Sequence, residues 1–155
     1  MSPFYPWFLF LHVAAALWVA AGVFASSVVR VQGRRATLPE RALAARLLWR
    51  LHVVYTLPGL IAVGFIGFYL VASGGFRFGE TWVLAAAFLY LLMFLSTLFL
   101  VTPGLSRHRA TVNAAAAAGA TPGSEVPVIE KLPGIASDVN ALIILILVCL
   151  MVVKP

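Results

Sequence analysis

Four uninterrupted apolar runs, residues 4–29, 53–72, 82–102 and 139–153, take up about half of this 155-residue chain, and no charged side chain falls inside any of them. The first three have at least 20 residues each. At a helical rise of ~1.5 Å per residue, each can cross a hydrocarbon layer of ~30 Å. The fourth has 15 uncharged residues before Lys154, a rise of only ~22 Å, so its helix must begin earlier, just after Pro133 and Gly134. That start puts Asp138 and Asn140 in its first turns. Four such runs leave too little polar chain to wrap a soluble core around them. The pattern predicts an all-α polytopic membrane protein, one domain over residues 1–155. Its four transmembrane helices, at about 4–29, 40–72, 82–102 and 134–153, form one antiparallel bundle in the lipid bilayer.

Composition agrees, with 63% hydrophobic and 10% charged residues, but the placement of the net charge of +6 says more than its size. Arg30, Arg34, Arg35, Arg41, Arg46 and Arg50 lie between the first two runs, and Arg107, Arg109 and Lys131 between the last two, so nine of eleven basic residues fall on one side. The positive-inside rule then places both connections in the cytoplasm and both termini outside. The charge is topological, and no nucleic-acid partner is implied. The first run lacks a basic n-region and is too long for a cleaved signal peptide, so it is expected to stay as an anchor. Cys149 is the single cysteine, which leaves no intramolecular disulfide.

The two basic connections differ. Thr37, Pro39 and Glu40 form a helix-start signal ahead of an arginine-rich stretch with Leu43, Leu47 and Leu51 on one face, which predicts a cytoplasmic extension of the second helix. Its arginines suit a solvated face or anionic lipid headgroups. In the other connection, Pro103 and Gly104 are expected to stop the third helix, Ala114 to Ala118 to form a short helix ended by Gly119, and residues 121–127 to be flexible chain. His108, between two arginines, reads as solvated.

Ionisable groups inside hydrocarbon are costly and mark function. His12 is the one at depth, ~12 Å below the outer surface; His52, Arg50 and Asp138 lie nearer the edge. At 100° per residue His12 shares a face with Ala15, Ala16, Val19 and Ser26, with Gly22 at its margin, and this small-residue face is expected to point into the bundle. A neutral imidazole there suits haem iron, copper, a proton relay, or a hydrogen bond to a neighbouring carbonyl. His12 and His52 are ~15 Å apart in depth and cannot share one iron. A second ligand would come from Met151, the better depth match, or from Met93 or Tyr90; the soft sulfurs of Met and Cys149 also suit cuprous copper. Arg50 and Asp138 are expected to interact at the cytoplasmic edge, unless Asp138 caps its helix beside Ser137. Pro58 and Gly59 should kink the second helix, with Thr56 or water satisfying the freed carbonyl.

His12, Trp18, Gly22 and Phe24, then Arg50, Pro58 and Gly59, and the closing Lys154 and Pro155 resemble an uncharacterised family of integral membrane proteins, the domain of unknown function 2269 family, over nearly the whole chain. The same residues resemble, more distantly, the bacterial haem-containing protoporphyrinogen oxidases and the membrane domain of copper-resistance protein D. The oxidases place a haem-associated histidine where His12 stands, and an arginine eight residues before a proline-glycine pair, as Arg50 stands to Pro58 and Gly59. Their third helix carries a lysine and a histidine; the run 82–102 here has neither. The resemblance implies a shared bundle in the inner (cytoplasmic) membrane of a bacterial cell and a b-type haem or porphyrin pocket near His12, for electron transfer or redox chemistry. The alternatives are a cofactor-free structural or assembly subunit, working with membrane-protein partners or as a homo-oligomer, and a copper-handling protein.

Overall fold

The computed structural model describes residues 3–34, 36–74, 76–118 and 131–154. Every regular element among them is helical, and four helices are long and apolar enough to cross a bilayer: α1 (Tyr5–Gly33), α2 (Leu38–Ser73), α3 (Thr81–Ala117) and α4 (Lys131–Val153). They run antiparallel. Both chain termini and the α2–α3 connection gather at one end, where Lys154 Nζ stands 4.9 Å from the centre of the Phe76 ring. Eight of the ten described basic residues, all but Arg77 and Lys154, gather at the other, hereafter the basic end.

All four helices run past the apolar runs that specify them. α2 and α3, with 36 and 37 residues, rise ~54 Å and ~56 Å, far more than a bilayer needs. α2 begins outside the apolar run with Thr37 as its N-cap, where the Glu40 carboxylate accepts from the Thr37 N–H at 2.7 Å and its hydroxyl at 2.8 Å. Those bonds, made to the charged form, hold the Glu40 carboxyl below its ordinary value, and the carboxylate suits the positive helix N-terminus.

Pro103 and Gly104 do not stop α3, contrary to the expectation from sequence. The residues before them form a π-turn, Thr97–Val101, in which the Thr102 N–H reaches back five residues to the Thr97 carbonyl. The wider turn absorbs the proline, which has no N–H to give and a ring that an α-turn would crowd. Ala114 to Ala117 are therefore the end of this helix and not a separate one; Gly119 and residues 121–127 lie outside the described residues. α4 likewise starts at Lys131, before Pro133, because proline costs little in a first turn whose N–H groups have no intrahelical acceptor.

Apolar packing is layered. The middle holds Val19, Val23, Leu60, Met93, Ile143, Ile144 and Leu147. Leu48, Val101, Leu105 and Ala136 follow toward the basic end, and Ala42, Ala45 and Val112 join the α2 and α3 extensions beyond it. α2 and α3 meet mainly in those extensions. Outward-facing side chains are large and apolar throughout the spans: Phe65 is 75% exposed and Phe88 67%, tolerable only where lipid and not water lies against them. Lipid tails give helices no hydrophobic reason to associate, so close packing and interhelical hydrogen bonds must hold the bundle. Gly22 and Gly59 supply the close packing: a Cβ on Gly22 would stand 2.8 Å from Thr56 Oγ1 and Tyr55 Cβ, and one on Gly59 2.8 Å from Val19 Cγ2.

Candidate functional site

α2 carries its own π-turn, His52–Thr56, closed by the Leu57 N–H on the His52 carbonyl and followed directly by Leu57, Pro58 and Gly59. Pro58 removes the donor that the Val54 carbonyl would otherwise receive. Trp18 of α1 replaces it, its indole N–H donating at 3.1 Å while its ring stacks on Tyr55, 4.9 Å between centroids. The expected kink is therefore a π-turn, and its freed carbonyl is met by Trp18 in place of Thr56. The parallel with α3 is a sequence feature: Leu57-Pro58-Gly59 and Thr102-Pro103-Gly104 each follow a π-turn.

The two π-turns border one cavity of about 30 Å³ in the basic half of the bundle. Its walls are apolar in part, from Val19, Leu60 and Met93 at the deep end to Leu48, Leu105 and Pro133 at the shallow end, but all four helices add polar groups: Ser26, Arg30, His52, Thr56, Thr97, Ser137 and Asn140. Thr102 Oγ1 donates to the Thr97 carbonyl at 2.8 Å. Its oxygen, 2.8 Å from His52 Nε2, therefore accepts, which fixes the neutral His52 ring with its proton on Nε2. Asn140 Nδ2 donates to Thr97 Oγ1 at 3.0 Å. One network thus joins α2, α3 and α4.

Arg30 closes the set from α1. Its side chain is 9% exposed; Nη1 donates to the Gly134 carbonyl at 2.7 Å, and Nη2 to Ser27 Oγ at 3.4 Å and to Asp138, with which it forms an ion pair. Asp138 therefore pairs with Arg30 and not with Arg50, which is exposed on α2. The reason is position: Arg30 and Asp138 face each other across the α1–α4 contact, while the arginine predicted to reach the carboxylate points outward. Two buried polar atoms bordering the cavity keep no partner, Arg30 Nε and Asn140 Oδ1. A donor and an acceptor left bare in hydrocarbon each cost on the order of 1–3 kcal/mol, and the cavity these two residues help to line has room for about two waters.

His12 lies elsewhere. It is 6% exposed, as its small-residue face foretold, and packs against α2 in the terminal half. The ring lies beside the Val63 backbone, and Cε1 would stand 3.0 Å from a Cβ on Gly67. Nδ1 is buried without a partner. Ala16 is half-buried on the same helix, Met151 half-exposed near the end of α4, Met93 is core, and Tyr90 donates to the Leu60 carbonyl at 3.0 Å. Gly22 and Gly59 are buried, whereas Pro58 is exposed. Among the described residues no group of three or more His, Cys, Asp or Glu side chains comes together. His108 is half-buried in place of solvated, because α3 continues as a helix against the α2 extension.

Sequence reasoning missed Arg30, Thr97 and Thr102, the first because it reads as one more loop arginine. The paired threonine and proline-glycine signals, near the start of the second apolar run and at the close of the third, were the available clue. No curated protein and no solved structure matches the chain. Residues 7–155 match a family described as predicted integral membrane protein (DUF2269). With four bilayer-length apolar helices and that match over nearly its whole length, the chain belongs to this family of integral membrane proteins.

Proposed function

We propose that the protein sits in the cytoplasmic membrane with its basic end inside, and that it binds a small polar ligand from that side in the cavity between the π-turns. The observation that carries this reading is the orphaned pair Arg30 Nε and Asn140 Oδ1. Intramembrane polar groups without partners favour a water-filled or ligand-filled space, and π-turns are frequent at functional sites. A fitting group accepts from the guanidinium and donates to the amide oxygen: water itself, or the hydroxyl end of a compound of a few atoms. Val19, Leu60 and Met93 close the deep end, which favours a binding site over an open channel.

Ser26→Cys in a Cys149→Ser background provides the test. A small impermeant methanethiosulfonate applied to the basic face should modify the thiol, short alcohols or amides should slow it, and Asn140→Leu should slow it severalfold. No reaction from either face, or equal reaction from the terminal face, would overturn the reading.

A haem near His12 is the second reading, favoured by the unpartnered Nδ1. On the Gly67 side a macrocycle would meet close packing, since a Cβ there would stand 3.0 Å from Cε1. Close packing of this kind supports an interhelical contact role for His12. An absorption spectrum of protein purified after haem-supplemented expression separates the two, since a Soret band lost in His12→Ala would replace the packing role with ligation.

A further inference from the structure

One stripe of the α2 extension faces away from the protein. Ala42, Ala45 and Leu48 are buried against α3, and at 100° per residue Leu43, Arg46, Leu47 and Arg50 fall on the opposite arc. All four are exposed, Leu43 at 55% and Leu47 at 43%. Three other basic residues of this end have partners in the protein: Arg30 pairs with Asp138, Arg41 donates to the Ala36 and Arg34 carbonyls, and the Arg109 guanidinium lies 4.9 Å from the Trp49 ring centre. Arg46 uses Nε on the Ala42 carbonyl of its own helix at 3.3 Å. Arg50 makes no ion pair among the described residues.

We propose that this stripe binds anionic phospholipid, with Arg46 and Arg50 on headgroup phosphate and Leu43 and Leu47 in the acyl boundary. A solvated face would carry polar residues between its arginines. Leucines in alternation with arginines match instead the boundary layer where charged heads reach phosphate and apolar side chains enter the hydrocarbon edge. Val54, exposed on the same arc one turn further, continues the stripe into the span itself, so the stripe leaves the bilayer without a break. Free phosphate meets the arginines alone; a lipid meets both residue types.

The experiment is native mass spectrometry of the full chain in detergent, titrated with phosphatidylglycerol or phosphatidylcholine. Phosphatidylglycerol should be retained more strongly. Arg50→Gln should weaken its retention about fivefold and Arg46→Gln/Arg50→Gln on the order of twentyfold, at ~1 kcal/mol per arginine near the surface. Leu43→Ser/Leu47→Ser should weaken it too, and Arg77→Gln, at the terminal end, should leave it unchanged. Equal retention of the two lipids, no effect of the double arginine variant, or displacement by millimolar inorganic phosphate overturns the proposal. So does a co-purifying protein lost in the arginine variant while lipid retention stays the same.

Discussion

The two halves of the bundle each bury one histidine, and the two sites are built on different terms. In the basic half, His52 belongs to a network spanning three helices, beside a cavity that leaves an arginine nitrogen and an amide oxygen bare. In the terminal half, His12 packs against a glycine of the neighbouring helix. The residue type is shared, so the difference comes from backbone geometry. Widened turns ahead of Pro58 and Pro103 open space between helices, whereas Gly67 closes it. A buried histidine therefore indicates a binding site only where the surrounding backbone leaves room for an occupant.

Overpacking each half should expose this difference most strongly. Gly22→Val places methyls against Thr56 and Tyr55 on the π-turn and should cost about 3 kcal/mol or abolish folding, while Gly67→Ala, which asks only a ring to shift, should cost about 1. Thermal unfolding in detergent measures both; equal losses would mean the basic half is as yielding as the terminal half.

Next in size is the ion pair at the cavity mouth. A double-mutant cycle of Arg30→Gln with Asp138→Asn should return a coupling of about 1 kcal/mol, since the carboxylate is well exposed. The cycle of Arg50→Gln with Asp138→Asn should return about zero. The reverse order would restore the pairing expected from sequence.

Trp18→Phe removes the donor to the Val54 carbonyl and should cost about 1 kcal/mol. In a Pro58→Ala background the alanine N–H can take that carbonyl, so the same change should cost less. An undiminished cost would show that Trp18 matters through its stacking on Tyr55 alone.

The smallest effect lies outside both halves, at the start of α2. Glu40 is held below its ordinary value of 4.5 by the Thr37 N–H and hydroxyl. A lowered folded-state value means the cap stabilises the helix above the unfolded value and loses that contribution as pH falls through the folded one. Hydrogen exchange of the first turn of α2 should therefore speed up below about pH 4.5 in the native chain, and Glu40→Gln should remove the pH dependence without touching the cavity.

Much of the fold was legible because hydrocarbon imposes simple rules. Length and apolarity marked the spans, and the small face of the first run placed His12 and Gly22 inward, as found. The cap at Thr37 and Glu40 was local and equally readable. The ends of α3 and α4 were misjudged because a proline's effect depends on the turn around it: a π-turn lets it pass, and a first turn tolerates it. The candidate site was read least well. Its members, Ser26, Arg30, His52, Thr97 and Asn140, come from four separate helices and share no spacing along the chain.

The sequence by itself determined that the chain spans a membrane four times as helices, because backbone groups in hydrocarbon must bond within their own segment and 20 apolar residues suffice to cross. Only the tertiary structure decided which arginine meets Asp138, which side chain takes the carbonyl freed by Pro58, and which buried histidine borders open space. Those outcomes depend on how helices are rotated and spaced against one another, and contacts of a few ångströms between distant residues fix that, not periodicity within any one helix.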